Sequence, residues 1–244
     1  MIEMVSISRA DFLLLMVGLR DSDPGKDEHI AFLQFCMDNA AWSHGQFLQD
    51  LWVAYETKMR SGGFFVEFGA TDGIKFSNTR ALETRLGWNG ILAEPARIWY
   101  PALRRNRACF IDDRCVWTRT GETLVFNQPA IAAHSTIDAY SQGDSLAGTR
   151  AEGKRYEVTT VSLNDLLAHW NAPRRIDYLS IDTEGSELDI LQALDFGAWE
   201  IRLITVEHNF TPKRQEIHDF LTTKGYRRKF ETLSNVDDWY VRTY

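Results

Sequence analysis

Glu67-Phe68-Gly69-Ala70-Thr71-Asp72-Gly73 is the stretch that decides how this chain folds. The apolar run Phe64–Phe68 leading into it has the length of a buried strand, and Thr79–Leu86 after it has helical periodicity. Strand, glycine turn and helix open a βαβ unit, in which glycines permit a tight turn and let a ligand approach the backbone. The spacing is G-x-x-x-G, so the middle glycine of the dinucleotide fingerprint G-x-G-x-x-G is missing. Glu67 and Asp72 also suit a cationic ligand better than a pyrophosphate, since opposite charges attract strongly in a partly dry cleft. A nicotinamide-dependent oxidoreductase is disfavoured on both grounds.

Outward from this loop, Ile91–Ala93, Tyr178–Ile181 and Leu203–Val206 read as further buried strands, with Cys109–Ile111 a weaker fifth. Helical patterns fall between them at Ile98–Arg105, Ser162–Trp170 and Glu187–Leu194, and Ser162 with Asp165 makes a capping-box-like start. Alternating strands and helices predict an α/β fold with a mostly parallel sheet. The alternating tail Asp238–Tyr244 predicts an antiparallel closing strand. Residues 1–60 show no strand signal; Ile30–Met37 and Phe47–Met59 are helical in pattern. The expected organisation is a helical N-terminal extension (1–60) and an α/β domain (61–244), broken at Ser61-Gly62-Gly63. Phe12–Leu19 is too short to span a bilayer and lacks a basic flank, so it reads as a packed helix. Thr118–Arg155 is irregular, with Thr123–Phe126 as an extra strand and the Ser/Gly-rich His134–Gly153 as a mobile loop.

The 244 residues carry a formal net charge of −7, which argues against a broad grip on nucleic acid phosphates. Arg104, Arg105 and Arg107 read as a solvated helix end. No Asn/Asp-Pro-Pro-aromatic tetrapeptide for a flipped base is present. Cys36, Cys109 and Cys115 have no metal-ligand spacing and suit a reducing compartment, so a cytoplasmic protein without membrane or nucleic acid partners is expected.

Acids recur where successive strands end. Glu94-Pro95 follows the second strand, where a carboxylate can accept hydrogen bonds from both hydroxyls of a ribose. Asp112-Asp113 follows the third, where Asp113 could reach an adenine amino group. Open α/β sheets bind ligands at this carboxyl edge.

Val66–Gly73 followed by Ser77-Asn78-Thr79 resembles the first motif of FkbM-type methyltransferases. Gly87-Trp88-Asn89-Gly90-Ile91-Leu92-Ala93-Glu94-Pro95 is similar to their second-strand segment. Ile181-Asp182-Thr183-Glu184-Gly185-Ser186-Glu187 resembles their Ile-Asp-x-Glu-Gly-x-Glu hallmark, and Gln49-Asp50-Leu51 the Gln-Asp pair preceding the core. The resemblance covers Gln46–Tyr226, with Thr118–Arg155 unaligned. It implies a Rossmann-like class I methyltransferase fold and S-adenosylmethionine as methyl donor. It further implies O-methylation of a hydroxyl on a small-molecule or glycan acceptor, a saccharide or secondary metabolite. The expected cofactor contacts are Glu67, Gly69, Ala70, Thr71, Asp72, Gly73, Asn78, Glu94, Pro95, Asp113 and Asp182.

An alcohol is a weak nucleophile, so methyl transfer to it needs in-line placement and a base. Asp182 is placed for either task. Glu184 and Glu187 could cap the following helix, the preferred reading for Glu187. Glu207-His208-Asn209 ends the fifth strand. His208 is a candidate general base because imidazole titrates near neutrality, with Glu207 beside it. Asp182, Glu207 and His208 could instead ligate a divalent metal that lowers the pKa of vicinal hydroxyls; the metal-free route is preferred. His44 and His134 read as structural or solvent-facing. Trp42, Trp52, Trp99, Trp117 and Tyr140 could form a stacking wall, with core packing as the preferred role. A non-catalytic cofactor-binding or scaffold protein on the same fold is the alternative function. The N-terminal helices could cap the site or build a homodimer.

Overall fold

The structure, a computed structural model, describes residues 27–243; the expected Phe12–Leu19 helix lies outside them. Contacts divide the chain into one unit ending at Trp42 and another spanning Ser43–Tyr244. The described part of the first is helix α1 (Asp27–Asn39), followed by a 3-10 turn, Ala40–Trp42. Its first turn carries Asp27 and Glu28, which complement the helix dipole. Helix α2 (Gln49–Glu56), read from sequence as part of an extension ending at residue 60, belongs to the second unit.

That unit is built on a seven-stranded sheet. Its strands are β1 (Phe64–Phe68), β2 (Asn89–Ala93), β3 (Phe110–Asp112), β8 (Arg175–Ile181), β9 (Glu200–Glu207), β10 (Tyr226–Lys229) and β11 (Asp237–Arg242), in the order β10-β11-β9-β8-β1-β2-β3. All pairings are parallel except those of β11, which runs antiparallel to β9 and β10. The expected antiparallel closing strand is therefore present. Strand order turns back between β1 and β8, the crevice where open α/β sheets hold ligands.

Helices α3 (Arg80–Leu86), α4 (Tyr100–Asn106), α6 (Leu163–His169), α7 (Glu187–Ala193) and α8 (Lys213–Thr223) fill the connections. Ser162 Oγ accepts the Asp165 N–H at 3.1 Å, the predicted start of α6. A core of β1, β8 and β9 side chains, including Val66, Leu179, Ile181, Ile204 and Val206, packs against Leu166, Leu167, Leu188 and Leu191.

A second, four-stranded sheet combines β4 (Cys115–Trp117), β5 (Thr123–Gln128), β6 (Thr136–Ile137) and β7 (Lys154–Ser162) in the order β4-β7-β5-β6. It gives the irregular region an architecture. The segment expected to be a mobile loop follows a 3-10 turn at Ala132–His134 and contains β6, a 3-10 turn at Asp138–Tyr140 and helix α5 (Ala147–Arg150). Its anchor is Arg150, whose side chain is fully buried. It donates to Asp144 Oδ1 (2.7 Å), Glu184 Oε2 (2.6 Å) and the His134 carbonyl (2.9 Å). Among the described residues, no helix is long and apolar enough to cross a membrane.

Candidate active site

Strand register assembles the site. Phe68 pairs with Ala93, and β1 pairs with β8 at Glu67 and Ser180. Ile181 pairs with Val206, and Glu207 with Asp237. One residue past these pairs, the carboxyl edge carries Glu94, Gly69, Asp182, Glu207 and Asp237 in a row across five neighbouring strands. Strand-end position alone thus brings four carboxyl groups to one edge, with a glycine among them.

Gly69 must be glycine. Its φ is +73°, and a Cβ there would stand 2.3 Å from the Asp182 carbonyl oxygen. Its N–H donates to the Ala93 carbonyl at 3.2 Å. The β1 and β8 ends therefore touch through backbone, and the loop to Thr71 passes close over the crevice.

A cavity of about 260 Å³ opens above this edge. Its apolar lining is Phe68, Ala93, Cys115, Val116, Phe126 and Ile137, and Asp182, Glu184, Glu207 and Asn209 line it as well. Glu94 lies between the glycine loop and Pro95. Its Oε2 accepts the Thr71 N–H and its Oε1 the Ala96 N–H, both at 2.8 Å. Burial pushes its carboxyl up to about 7.

Asp182 and Glu207 lie side by side, with carboxyl oxygens within 4.8 Å of each other. Burial raises both well above the usual carboxylate range, and their neighbours' negative charges raise them further. Glu184 is pushed up to about 8 by burial, against the pull of Arg150. Asn209 Nδ2 also donates to Glu184 Oε2, at 3.2 Å. Ligand atoms of Asp182, Glu184 and Glu207 lie within 4.8 Å of one another, a spacing that could hold a hard divalent cation. Glu184 takes the place in this set that the sequence reading gave to His208.

Glu187 braces the loop. Its Oε1 accepts the N–H groups of Thr183 (3.0 Å) and Gly185 (2.9 Å), the structural role preferred from sequence. Gln49 and Asp50 brace the opposite wall. Buried Asp50 accepts the Ser43 hydroxyl and the N–H groups of His44, Gly45 and Leu51. Gln49 donates to Asp237 Oδ2 at 2.7 Å. The segment between these anchors presents Gln46 to the cavity.

Of the expected cofactor contacts, Gly69, Thr71, Glu94, Pro95 and Asp182 line the cavity, and Ala70 is buried between two of them. Glu67 does not face it. This buried carboxyl accepts the Asn78 N–H (2.7 Å) and the hydroxyls of Ser77 (3.0 Å) and Thr79 (2.5 Å), with the Arg107 guanidinium 3.7 Å away. Asn78 Nδ2 is turned to Ser180 Oγ. Asp72 Oδ1 accepts the Ile74 and Lys75 N–H groups, closing the loop from outside. At Gly73 a Cβ would meet Arg107 and Leu103, so that glycine serves packing. Asp113 is half-exposed and paired with Arg104, and β4 supplies Cys115 and Val116 to the cavity in its place. Arg107, expected in solvent, is buried between Glu67 and Glu83.

Glu207 lines the cavity, but His208, one residue on, does not; it lines an adjoining cavity of about 270 Å³ that shares Glu184, Glu207 and Asn209. His208 Nδ1 accepts the Phe210 N–H at 3.0 Å, and its Nε2 faces Asp238 at 3.7 Å. Burial lowers its pKa. The aromatic residues follow their packing role: Trp52 stacks on Trp239 in the interior, and Trp99, Trp117 and Tyr140 pack on the small core around Phe126. His134, by contrast, lines the cavity. Sequence reasoning missed Gln46, Phe76, Ser135 and Val236, which also line it; no local motif marks them.

The sheet order and the cavity at its carboxyl edge define a class I methyltransferase fold. The chain belongs to the FkbM methyltransferase family: the Methyltransferase FkbM domain model matches residues 67–228, about two-thirds of the chain. Methyltransferase sdnD of Sordaria araneosa is 27% identical over 197 residues, 68% of this chain and 74% of that protein. Among solved structures, methyltransferase FkbM from Methylobacillus flagellatus KT is similar with a TM-score of 0.48 at 11% identity, over 74% of this chain. The match spans 43% of that structure's chain, less than half its length. The precorrin-6y C5,15-methyltransferase of Geobacter metallireducens GS-15 is similar with a TM-score of 0.42 at 11% identity, over 79% of this chain and 85% of that one.

Proposed function

We propose that this protein is an S-adenosylmethionine-dependent O-methyltransferase acting on a hydroxyl of a saccharide or secondary metabolite. The observation that carries the reading is the row of strand ends Glu94, Gly69, Asp182 and Glu207 along one cavity. The residues fit the donor's chemistry. The apolar lining residues Phe68, Val116, Phe126 and Ile137 suit an adenine ring. Glu94 keeps lone pairs beyond its two backbone bonds, and its position suits a ribose diol. The acids Asp182, Glu184 and Glu207 favour a sulfonium and an ammonium.

When bound, the donor supplies an electrophilic methyl group. The chain's own residues then orient the acceptor hydroxyl and take its proton. The Asp182–Glu207 pair is suited to both tasks, because a carboxylate with a raised pKa is a stronger base. With the donor bound, Asp182 and Glu207 would orient the acceptor hydroxyl and take up the proton it releases on methylation. His208 faces the adjoining cavity, so the proton is assigned to the carboxyl pair, and the route needs no metal to remove it. The test is incubation with methyl-labelled S-adenosylmethionine and a panel of saccharides and hydroxylated small molecules. A labelled methyl ether is expected; absence of S-adenosylmethionine binding would overturn the reading.

A further inference from the structure

Large apolar side chains that no core packing explains stand exposed on segments that line the cavity. Phe76, a wall residue, is 48% exposed. Phe210 is 65% exposed, directly after the wall residue Asn209, and Ile131 is 55% exposed, directly before Ala132. Both phenylalanines sit on left-handed backbone, Phe76 at φ +61° and Phe210 at φ +55°. A bulky side chain is uncommon there.

Each ring is also held in place. Phe76 backbone pairs with Gly45, and the Lys75 ammonium lies 4.7 Å from its ring centroid. The Phe210 N–H donates to His208 Nδ1, the imidazole meets the phenyl ring edge-on at 5.4 Å, and the Thr211 N–H donates to the His208 carbonyl at 2.8 Å. His208 thereby acts as a positioning residue for Phe210. The acids Glu94, Asp182, Glu184 and Glu207 line the cavity, and no described lining residue is Lys or Arg. A phosphate or carboxylate on an acceptor would therefore find no cation of the wall to pair with.

Resting on the methyltransferase reading above, we infer that the acceptor is an uncharged amphiphile whose apolar body is held at the rim by Phe76, Ile131 and Phe210 while its hydroxyl reaches Asp182 and Glu207. The exposed side chains discriminate by burying the acceptor's apolar surface, a non-directional attraction proportional to the area covered.

The experiment compares binding of n-octyl β-D-glucopyranoside, below its micelle concentration, with methyl β-D-glucopyranoside by ligand-observed NMR and titration calorimetry. It uses the full chain with and without S-adenosylhomocysteine. The octyl glycoside is expected to bind at least about tenfold more tightly, because its chain and the phenyl rings leave water together. The double variant Phe76→Asn/Phe210→Asn should cut the ratio below about threefold, since asparagine tolerates left-handed backbone but offers no apolar face. Phe210→Leu should retain the preference. Equal binding of the two glycosides, binding of neither, or a ratio that survives the double variant would overturn the inference. Failure to bind S-adenosylhomocysteine would refute the methyltransferase reading instead, while the glycoside ratio without it still decides the rim's role.

Discussion

Replacing Glu67 with alanine separates a structural acid from a ligand-binding one. The carboxylate accepts the buried Asn78 N–H, which has no freedom to turn elsewhere, and the hydroxyls of Ser77 and Thr79. It also offsets Arg107, whose side chain is fully buried and whose remaining acid is Glu83. An orphaned buried donor costs about 1–3 kcal/mol, and removing one partner of a buried ion pair about 3–5 kcal/mol. These overlap, so Glu67→Ala should lose about 3–5 kcal/mol in total. At roughly 2–4 °C per kcal/mol for a unit of this size, the midpoint should fall by about 6–20 °C. Urea denaturation gives the free energy, and calorimetry well below the midpoint gives the affinity for S-adenosylhomocysteine. The expected pattern is a large stability loss with affinity changed by less than about threefold, under 0.7 kcal/mol. Unchanged stability with affinity lost by a hundredfold or more, about 2.7 kcal/mol, would refute the placement of Glu67 away from the cavity.

Three other outcomes follow from the site. Asp182→Asn should lower kcat by about 10²–10⁴, the usual worth of a positioned base, with a smaller change in S-adenosylhomocysteine affinity; single-turnover kinetics would show it. His208→Gln should leave the acidic limb of the kcat–pH profile in place, because that limb belongs to the Asp182–Glu207 pair; its disappearance would return the base role to His208. The unliganded protein should be harder to unfold near about pH 5 than above about pH 8. Burial raises Glu94 and Asp237 to about 7 and Glu184 to about 8. The stability these groups give is full below their ordinary carboxyl range and is lost as pH rises through the raised values. Urea midpoints across that window check the sign, and a midpoint that rises with pH would contradict it.

The sheet was legible because buried parallel strands are continuous apolar runs, and β1, β2, β8 and β9 all have them. Strand β7 was not, because Lys154, Arg155, Glu157 and Thr159 expose polar side chains along its length. Strand β10, Tyr226-Arg227-Arg228-Lys229, is an edge strand with the charge such edges carry. The segment from His134 to Gly153 has the composition of a loop. What orders it is Arg150, and sequence does not distinguish a buried arginine from a solvated one until its acids Asp144 and Glu184 are brought to it. In the site, the rule that ligands meet strand ends located Glu94, Asp182 and Glu207. It failed by one residue in two places. Glu67 comes one residue before Phe68 and turns into the interior, and His208 comes one after Glu207 and turns toward Asp238. Alternation of side chains along a strand makes such a single step decisive.

The central claim is that the cavity binds S-adenosylmethionine through Glu94. Titration calorimetry with S-adenosylhomocysteine on the native chain and on Glu94→Gln tests it most directly. The account predicts one-to-one binding to the native protein and affinity weakened by about tenfold or more in the variant, since an amide cannot accept from the backbone donors and a ribose diol together. No heat of binding at millimolar ligand, or equal affinity in the two proteins, would contradict it.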